Sequence, residues 1–382
     1  MSLRWLSRGM EAVPIWAILS MAPPAAAQLL FLDDLEGEDT GCWAARSAAG
    51  CGGWNSIRDA GIALIAGGQA HSGTKSIRLT FAKNEDYAGA TRVVSGRHLF
   101  TRFYDYYDEN FDFAAGMKIH RLSSYDAARQ LNDFDIILYS QAAGGPDYCG
   151  KSDSRYMNLG FNGGPVDWGL VGGTLEIQRK RWYCIETEVK LNTPGQSDGE
   201  ARIWVDGRLF AERRGMNMTG TVASPINRVL FGGWYSNAAA GKNPCPNPAQ
   251  PSIRYVDDVA VSNAYIGTIP SVTLGPAKGT RVLSWVMPEG GAAKAEYGAT
   301  TSYGLSTVAE AQPLGLFSVV LAGLDTNRVY HFRVRCMPAS GKEYLSPDYT
   351  FSTAAGGAAV PPKRRPGKPV NLPPNLYDPI PD

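Results

Sequence analysis

The sequence predicts an all-β protein: two packed antiparallel sheets followed by a smaller β-sandwich. Three observations predict it. Gly 43 and Pro 25 with 10% aromatic residues suit a turn-rich β chain better than a helical one. No long stretch carries a helical period. Short runs of alternating apolar and polar residues recur at regular spacing along most of the chain, as strands with one buried face require.

Taken in order, residues 29–35 (LLFLDDL) form a short apolar strand ending in acids, and residues 71–81 alternate with Ile77, Leu79 and Phe81 inward. Residues 99–107 are aromatic-rich; 117–122 and 135–141 alternate; 155–161 follow a Gly/Asp/Cys loop. The most informative stretch is RWYCIETEVKLNTPGQSDGEARIWVDGRLF, residues 181–210. It predicts a β-hairpin with Tyr183, Ile185, Thr187, Val189 and Leu191 on one face and Cys184, Glu186, Glu188 and Lys190 on a second face free for polar work. Asp206-Gly207 then supplies a tight turn. Residues 229–235 and 254–261 close the set.

With 382 residues and a formal net charge of +1, the chain has length for two or three domains and no bulk field to attract nucleic acid or anionic lipid. Residues 1–27 hold Arg4 and Arg8, an apolar run over 13–22 and a small-residue cleavage site at Ala25-Ala26-Ala27. They predict a signal peptide, hence a secreted, periplasmic or extracellular protein with no membrane span once it is removed. Export makes the six cysteines candidates for disulfides. Cys42 and Cys51 enclose a short loop and are expected to pair; Cys149 with Cys245 is the next expectation, while Cys184 and Cys336, mid-strand in different domains, read as buried thiols. No C-x-x-C spacing suggests zinc.

The pattern W..IE..VKLNTPG.SDG..R.WVDG in 182–207 resembles polysaccharide lyases of the alginate and glucuronan lyase type, whose domains are β-jelly rolls with a concanavalin A-like sandwich. FDFAAGMKIHRL (111–122) and YVDDVAVSNAYIG (255–267) resemble other strands of that fold. The resemblance implies a jelly roll over 28–267. Residues 268–353 resemble a fibronectin type III domain, from the spacing of Leu324 to Tyr330 and from EYGATTSYG at 296–304; residues 354–382, Pro-rich and basic, read as a disordered tail.

Lys118-Ile119-His120 places a lysine and a histidine on one strand face by alternation; Tyr139 and Gln141 share a face on the next strand, and Arg155 follows. A lyase acting on a uronic-acid polymer neutralises the C6 carboxylate, removes the C5 proton and protonates the departing O4. The resemblance implies that the Lys118 strand lies in the sugar cleft, with Lys118, His120, Tyr139 and Gln141 as catalytic candidates and Arg121, Arg155, Trp234 and Tyr235 as substrate-binding ones. His120-Arg121 stands where the family usually has proline-glycine. The expected partner is an acidic extracellular polysaccharide; the alternative on the same residues is a non-catalytic carbohydrate-binding or adhesion protein. Glu186 and Glu188 share one face instead of opposing each other across a cleft, which argues against a retaining glycosidase. Jelly rolls of this kind often hold a structural calcium between the first and last strands, for which Asp34, Glu36 and Asp258 supply hard oxygen ligands.

Overall fold

The computed structural model describes residues 29–45, 51, 53–58, 61–82, 86–111, 116–129, 131–142, 154–162, 171–236, 250–287, 290–312, 315–338, 343–354 and 359–360. The expected signal peptide, Cys149 and Cys245 lie outside them.

The first part of the chain runs β1 (Leu29–Asp33), α1 (Thr40–Ala45), β2 (Ser56–Arg58), β3 (Ile62–Ala66), β4 (Lys75–Phe81), β5 (Asp86–Gly96), β6 (His98–Tyr107), β7 (Gly116–Asp126) and β8 (Leu131–Ala142). It continues through β9 (Ser154–Asn162), β10 (Val171–Glu176), β11 (Trp182–Lys190), β12 (Gly199–Val205), β13 (Arg208–Met216), β14 (Ile226–Ser236) and β15 (Ser252–Ser262). These strands make two antiparallel sheets. One has the order β13-β12-β11-β6-β15-β4-β3, with β1 paired to β15; the other has the order β10-β9-β8-β7-β14-β5-β2. Neighbours distant in sequence, such as β6 between β11 and β15, mark the crossovers of a jelly-roll sandwich.

The core between the sheets is built by alternation. Phe103, Ile185, Ile203 and Val256 on the eight-stranded sheet meet Met117, Leu122, Leu138, Leu159 and Phe231 on the seven-stranded one. Strands β5 and β10 and the short helix α1 were not expected. Ala88-Gly89-Ala90 on β5 and Gly172-Gly173 on β10 carry too little side chain to show a period, and Leu230 of β14 fills the space over Gly89. The expected disulfide Cys42–Cys51 is present, with Cα atoms 5.8 Å apart. It joins the two segments that carry Trp43 and Trp54 into the core. Cys184 and Cys336 are buried free thiols.

A second sandwich follows: β16 (Ser271–Leu274), β17 (Arg281–Met287), β18 (Gly291–Gly298), β19 (Leu305–Ser306), β20 (Glu310–Gln312), β21 (Gly315–Leu321), β22 (Val329–Pro338), β23 (Tyr344–Leu345), β24 (Tyr349–Ser352) and β25 (Ala359–Val360). Its sheets, β16-β17-β21 and β19-β18-β22-β24-β25 with β20 and β23 attached, enclose a separate core around Trp285, Phe317, Phe332 and Phe351. The Tyr330 hydroxyl accepts the Asp325 N–H at 2.8 Å, which ties down the corner after Leu324. Two residues of the expected tail, those of β25, pair with β24.

The sandwiches are joined through buried polar groups. Glu186 of β11, on the face expected to be free, is 1% exposed and accepts the N–H groups of Ile266 and Gly267 at 2.7 and 2.8 Å. Arg102 of β6 donates to the carbonyls of Gly267 and Asp258 and to the Tyr349 hydroxyl. Tyr104 accepts the N–H of Ile269, and Tyr344 of the second sandwich donates to the Ile266 carbonyl. The alternation of β11 is therefore as read, but Cys184 and Glu186 face the junction and not water.

Candidate functional site

The geometry of the site turns on one irregularity in β7. Lys118 pairs with Tyr139 of β8, yet His120 pairs with Leu138, so Ile119 has no counterpart on β8. On the other side Trp234 pairs with Lys118 and Phe231 with His120, leaving Gly232 and Gly233 opposite Ile119. This is a β-bulge, an extra residue that breaks the period-two alternation. Only glycine fits there. Gly232 has φ +140°, and a Cβ on Gly233 would lie 1.8 Å from the Lys118 carbonyl oxygen.

The bulge corrects the expectation for His120. Met117 and Ile119 point into the core, and after the slip so do His120 and Leu122. His120 is 1% exposed in a transverse row with Phe231, Leu138 and Leu159, and its ring packs against Phe103 and Phe231. Its Nε2 lies 2.8 Å from the Thr101 hydroxyl, which bonds Thr187 in turn. Burial pushes the imidazole down to about 3. It is a neutral core group and cannot reach a chain lying on the outside of the sheet.

The bulge also turns the Ile119 carbonyl inward, where Arg254 of the opposite sheet donates to it at 2.9 Å. Arg254 is fully buried and forms an ion pair with the fully buried Asp105. Burial raises the Asp105 carboxyl above its ordinary range, against the pull of Arg254. A buried arginine–aspartate pair is costly to desolvate, and here it satisfies a carbonyl that the bulge takes out of the ladder. Sequence reading missed this pair; the adjacent glycines at 232–233 were the available signal for a bulge beside it.

Lys118 stays on the outer face of the seven-stranded sheet, half-buried, with its Nζ 4.0 Å from the centroid of Trp234. The register sets one row across five strands: Tyr87 of β5, Trp234, Lys118, Tyr139 and Asn158 of β9. Gln141 pairs with Gly116 and Tyr156, one step along. For Tyr139, Gln141, Arg155, Asn158 and Tyr235 the backbone alone is described; Arg155 pairs with Ala142 and Leu175, and Tyr235 with Met117. Arg121 shares the outer face but is held by Asp135 through bonds of 2.8 and 2.5 Å, so it is a neutralised cation. The row thus unites Lys118, Tyr139 and Trp234 of the expected set, with Gln141 adjacent, and excludes His120.

The expected calcium ligands are each engaged by hydrogen bonds. Glu36 spends one oxygen on the N–H groups of Thr74 and Lys75 and the other on the Thr74 hydroxyl, packed so closely that Gly73 admits no side chain. Asp258 meets His71 Nδ1 at 2.6 Å and accepts from the Ser72 hydroxyl. Asp34 caps Glu36 N, and burial, with Asp258 and Glu36 nearby, raises its carboxyl to about 6. These acids tie β1 and β15 to the 71–75 loop by hydrogen bonds, and among the described residues no three acidic, histidine or cysteine side chains converge on an ion.

No family model matches the chain, and no curated protein matches it. Among solved structures it is similar to an endo-β-1,4-glucuronan lyase from Trichoderma reesei, at 13% identity and TM-score 0.42 over 56% of this chain and 92% of that one. An alginate lyase from a Chlorella virus matches at 15% identity and TM-score 0.42, over 60% of this chain and 99% of that one. An alginate lyase from Aplysia kurodai matches at 15% identity and TM-score 0.38, over 53% of this chain and 86% of that one. Likeness of this size assigns no chemistry to this chain.

Proposed function

We propose that this chain is a secreted protein that lays an acidic, uronate-containing polysaccharide across the outer face of the seven-stranded sheet and cleaves it by β-elimination. The observation that carries the reading is the row Trp234–Lys118–Tyr139, an aromatic ring, a cation and a phenol at adjacent register positions on three strands. A sugar ring stacks on Trp234. Lys118 neutralises the C6 carboxylate, which acidifies the C5 proton. Tyr139 in its phenolate form accepts that proton; the C5–H electron pair forms C4=C5 as the C4–O4 bond breaks, and the Tyr139 hydroxyl so formed returns the proton to the departing O4. The disulfide supports an oxidising compartment.

Burial of His120 favours a second reading, a binding protein of the same fold, because it removes one proton-transfer candidate. One experiment separates the two. The protein is incubated with alginate, glucuronan and polygalacturonate, and the ultraviolet absorbance of the unsaturated product is followed alongside binding. Absorbance growth with one polymer supports the lyase; binding without absorbance selects the second reading; neither binding nor product defeats both.

A further inference from the structure

A crevice of about 330 Å³ opens where the two sandwiches meet, away from the seven-stranded sheet. Leu29 and Ser262 wall it from the first sandwich, and Tyr303, Arg333, Pro347 and Asp348 from the second. Its volume is at the lower end of the roughly 300–1,000 Å³ typical of ligand pockets, which suits a ligand of one or two sugar rings.

The chemistry of the walls is divided. Arg333 spends only its Nε, on Glu296 at 2.7 Å. Its guanidinium lies 4.5 Å from the centroid of the Tyr303 ring, and among the described residues neither terminal amino group has a hydrogen-bond partner. Glu296 is already served by Arg335 and Lys294 as well, so Arg333 keeps donors for another carboxylate. Asp348 is 8% exposed and is fixed by the Tyr303 hydroxyl at 3.0 Å and His331 Nδ1 at 2.8 Å. Each of its oxygens retains a second lone pair for a ligand hydroxyl. Pro347 and Leu29 offer apolar surface to a ring face. A fork of donors, a fixed acceptor and an apolar wall are the complement of a ring that bears both a carboxylate and hydroxyls.

We propose that this crevice is a second saccharide site, which takes one uronate-type sugar unit with its carboxylate on Arg333 and its hydroxyls toward Asp348. The inference rests on the acidic-polysaccharide reading for its choice of ligand, but the two sites fail separately. Calorimetry on the whole protein uses sodium glucuronate, with glucose and acetate as comparisons. In a Lys118→Ala background glucuronate should still bind, and adding Arg333→Met should weaken that binding about tenfold or more, the scale for loss of a charge-assisted hydrogen-bonded pair. Glucose and acetate should bind far more weakly than glucuronate.

If Arg333→Met changes nothing in that background, or acetate binds as well as glucuronate, the crevice site is overturned. If Lys118→Ala alone removes all binding, the crevice fails and the proposed sheet-face site stands. If Arg333→Met alone removes all uronate and polymer binding, the crevice stands and the sheet-face reading fails. A measurement on the unsubstituted protein removes dependence on variant folding. Glucuronate should slow modification of His331 by diethyl pyrocarbonate while His71 and His98 react as before; equal rates at His331 with and without the sugar overturn the proposal.

Discussion

Strands β7 and β11 were read by the same rule and behave differently. On β11 the period of two holds from Tyr183 to Val189: the odd-numbered residues enter the core and the even-numbered ones leave it. On β7 the inward residues are Met117, Ile119, His120 and Leu122, so the phase changes between 119 and 120. The difference lies in their neighbours. β6 and β12 advance in step with β11, whereas β14 presents two glycines against one residue of β7. Alternation is a property of a pair of strands, and one strand's sequence shows it only while the partner keeps pace. The fates of the two polar faces differ as well: that of β11 is partly covered by the second sandwich, and that of β7 around Lys118 stays outside.

The contrast can be broken at the bulge. Arg254→Met leaves Asp105 buried without its cation and the Ile119 carbonyl without its donor, and should destabilise by about 3–5 kcal/mol. Adding Asp105→Leu should recover part of that loss, because the uncompensated charge disappears with it. Urea unfolding of the single and double variants measures both. Next in size is Gly233→Ala, which drives a Cβ into the Lys118 carbonyl and should cost about 3 kcal/mol, the upper part of the range for single substitutions. An unchanged denaturation midpoint for Gly233→Ala would mean that the bulge is not needed.

The fold was legible because burial on two faces leaves a periodic trace. The strands over 99–107, 155–161 and 254–261 appear almost where they were read, as do the hairpin and its Asp206-Gly207 turn, with φ of +50° and +76°. The short cysteine loop was legible as a disulfide for a similarly local reason. The candidate site was legible only in part. Lys118 and Tyr139 meet across consecutive strands, but Trp234 joins them through a strand far along the chain, and His120 left the group because of glycines more than 110 positions later. Arg254 and Asp105 carry charges that sequence patterning assigns to a surface. Only the packed sheets show why they are buried.

A substitution pair sharpens the contrast at the level of function. Tyr139→Phe should reduce lyase turnover about 10²-fold or more, the usual contribution of a general acid or base. His120→Gln should leave turnover within a few-fold of the parent, since its ring touches only core groups. Rates of unsaturated product formation on the same polymer compare the two. Equal large losses, with both proteins folded, would return His120 to the chemistry and contradict the inward side of the bulge.

The smallest effect concerns the face of β11 and is read through pH. Burial pushes the Glu186 carboxyl up to about 8, against the lowering influence of the Ile266 and Gly267 N–H groups and of Arg102. In the unfolded chain its ordinary value is 4.5. Between these values the folded state holds a proton that the unfolded state has released, so stability from this group is full below about 4.5 and is lost as pH rises through about 8. His120 acts in the other direction, because its depressed value withdraws stability as pH falls from 6.5 toward about 3. Between about 4.5 and 6.5 these two groups act in opposite directions and offset each other, and above 6.5 only the loss from Glu186 remains of the pair. Glu186→Gln keeps one acceptor oxygen at the junction and removes the titration. The parent's melting temperature should fall by roughly a few degrees from pH 6 to pH 9, and Glu186→Gln should melt lower at pH 6 but with a flatter decline. A decline of the same slope in Glu186→Gln would show that the junction does not titrate through this carboxyl.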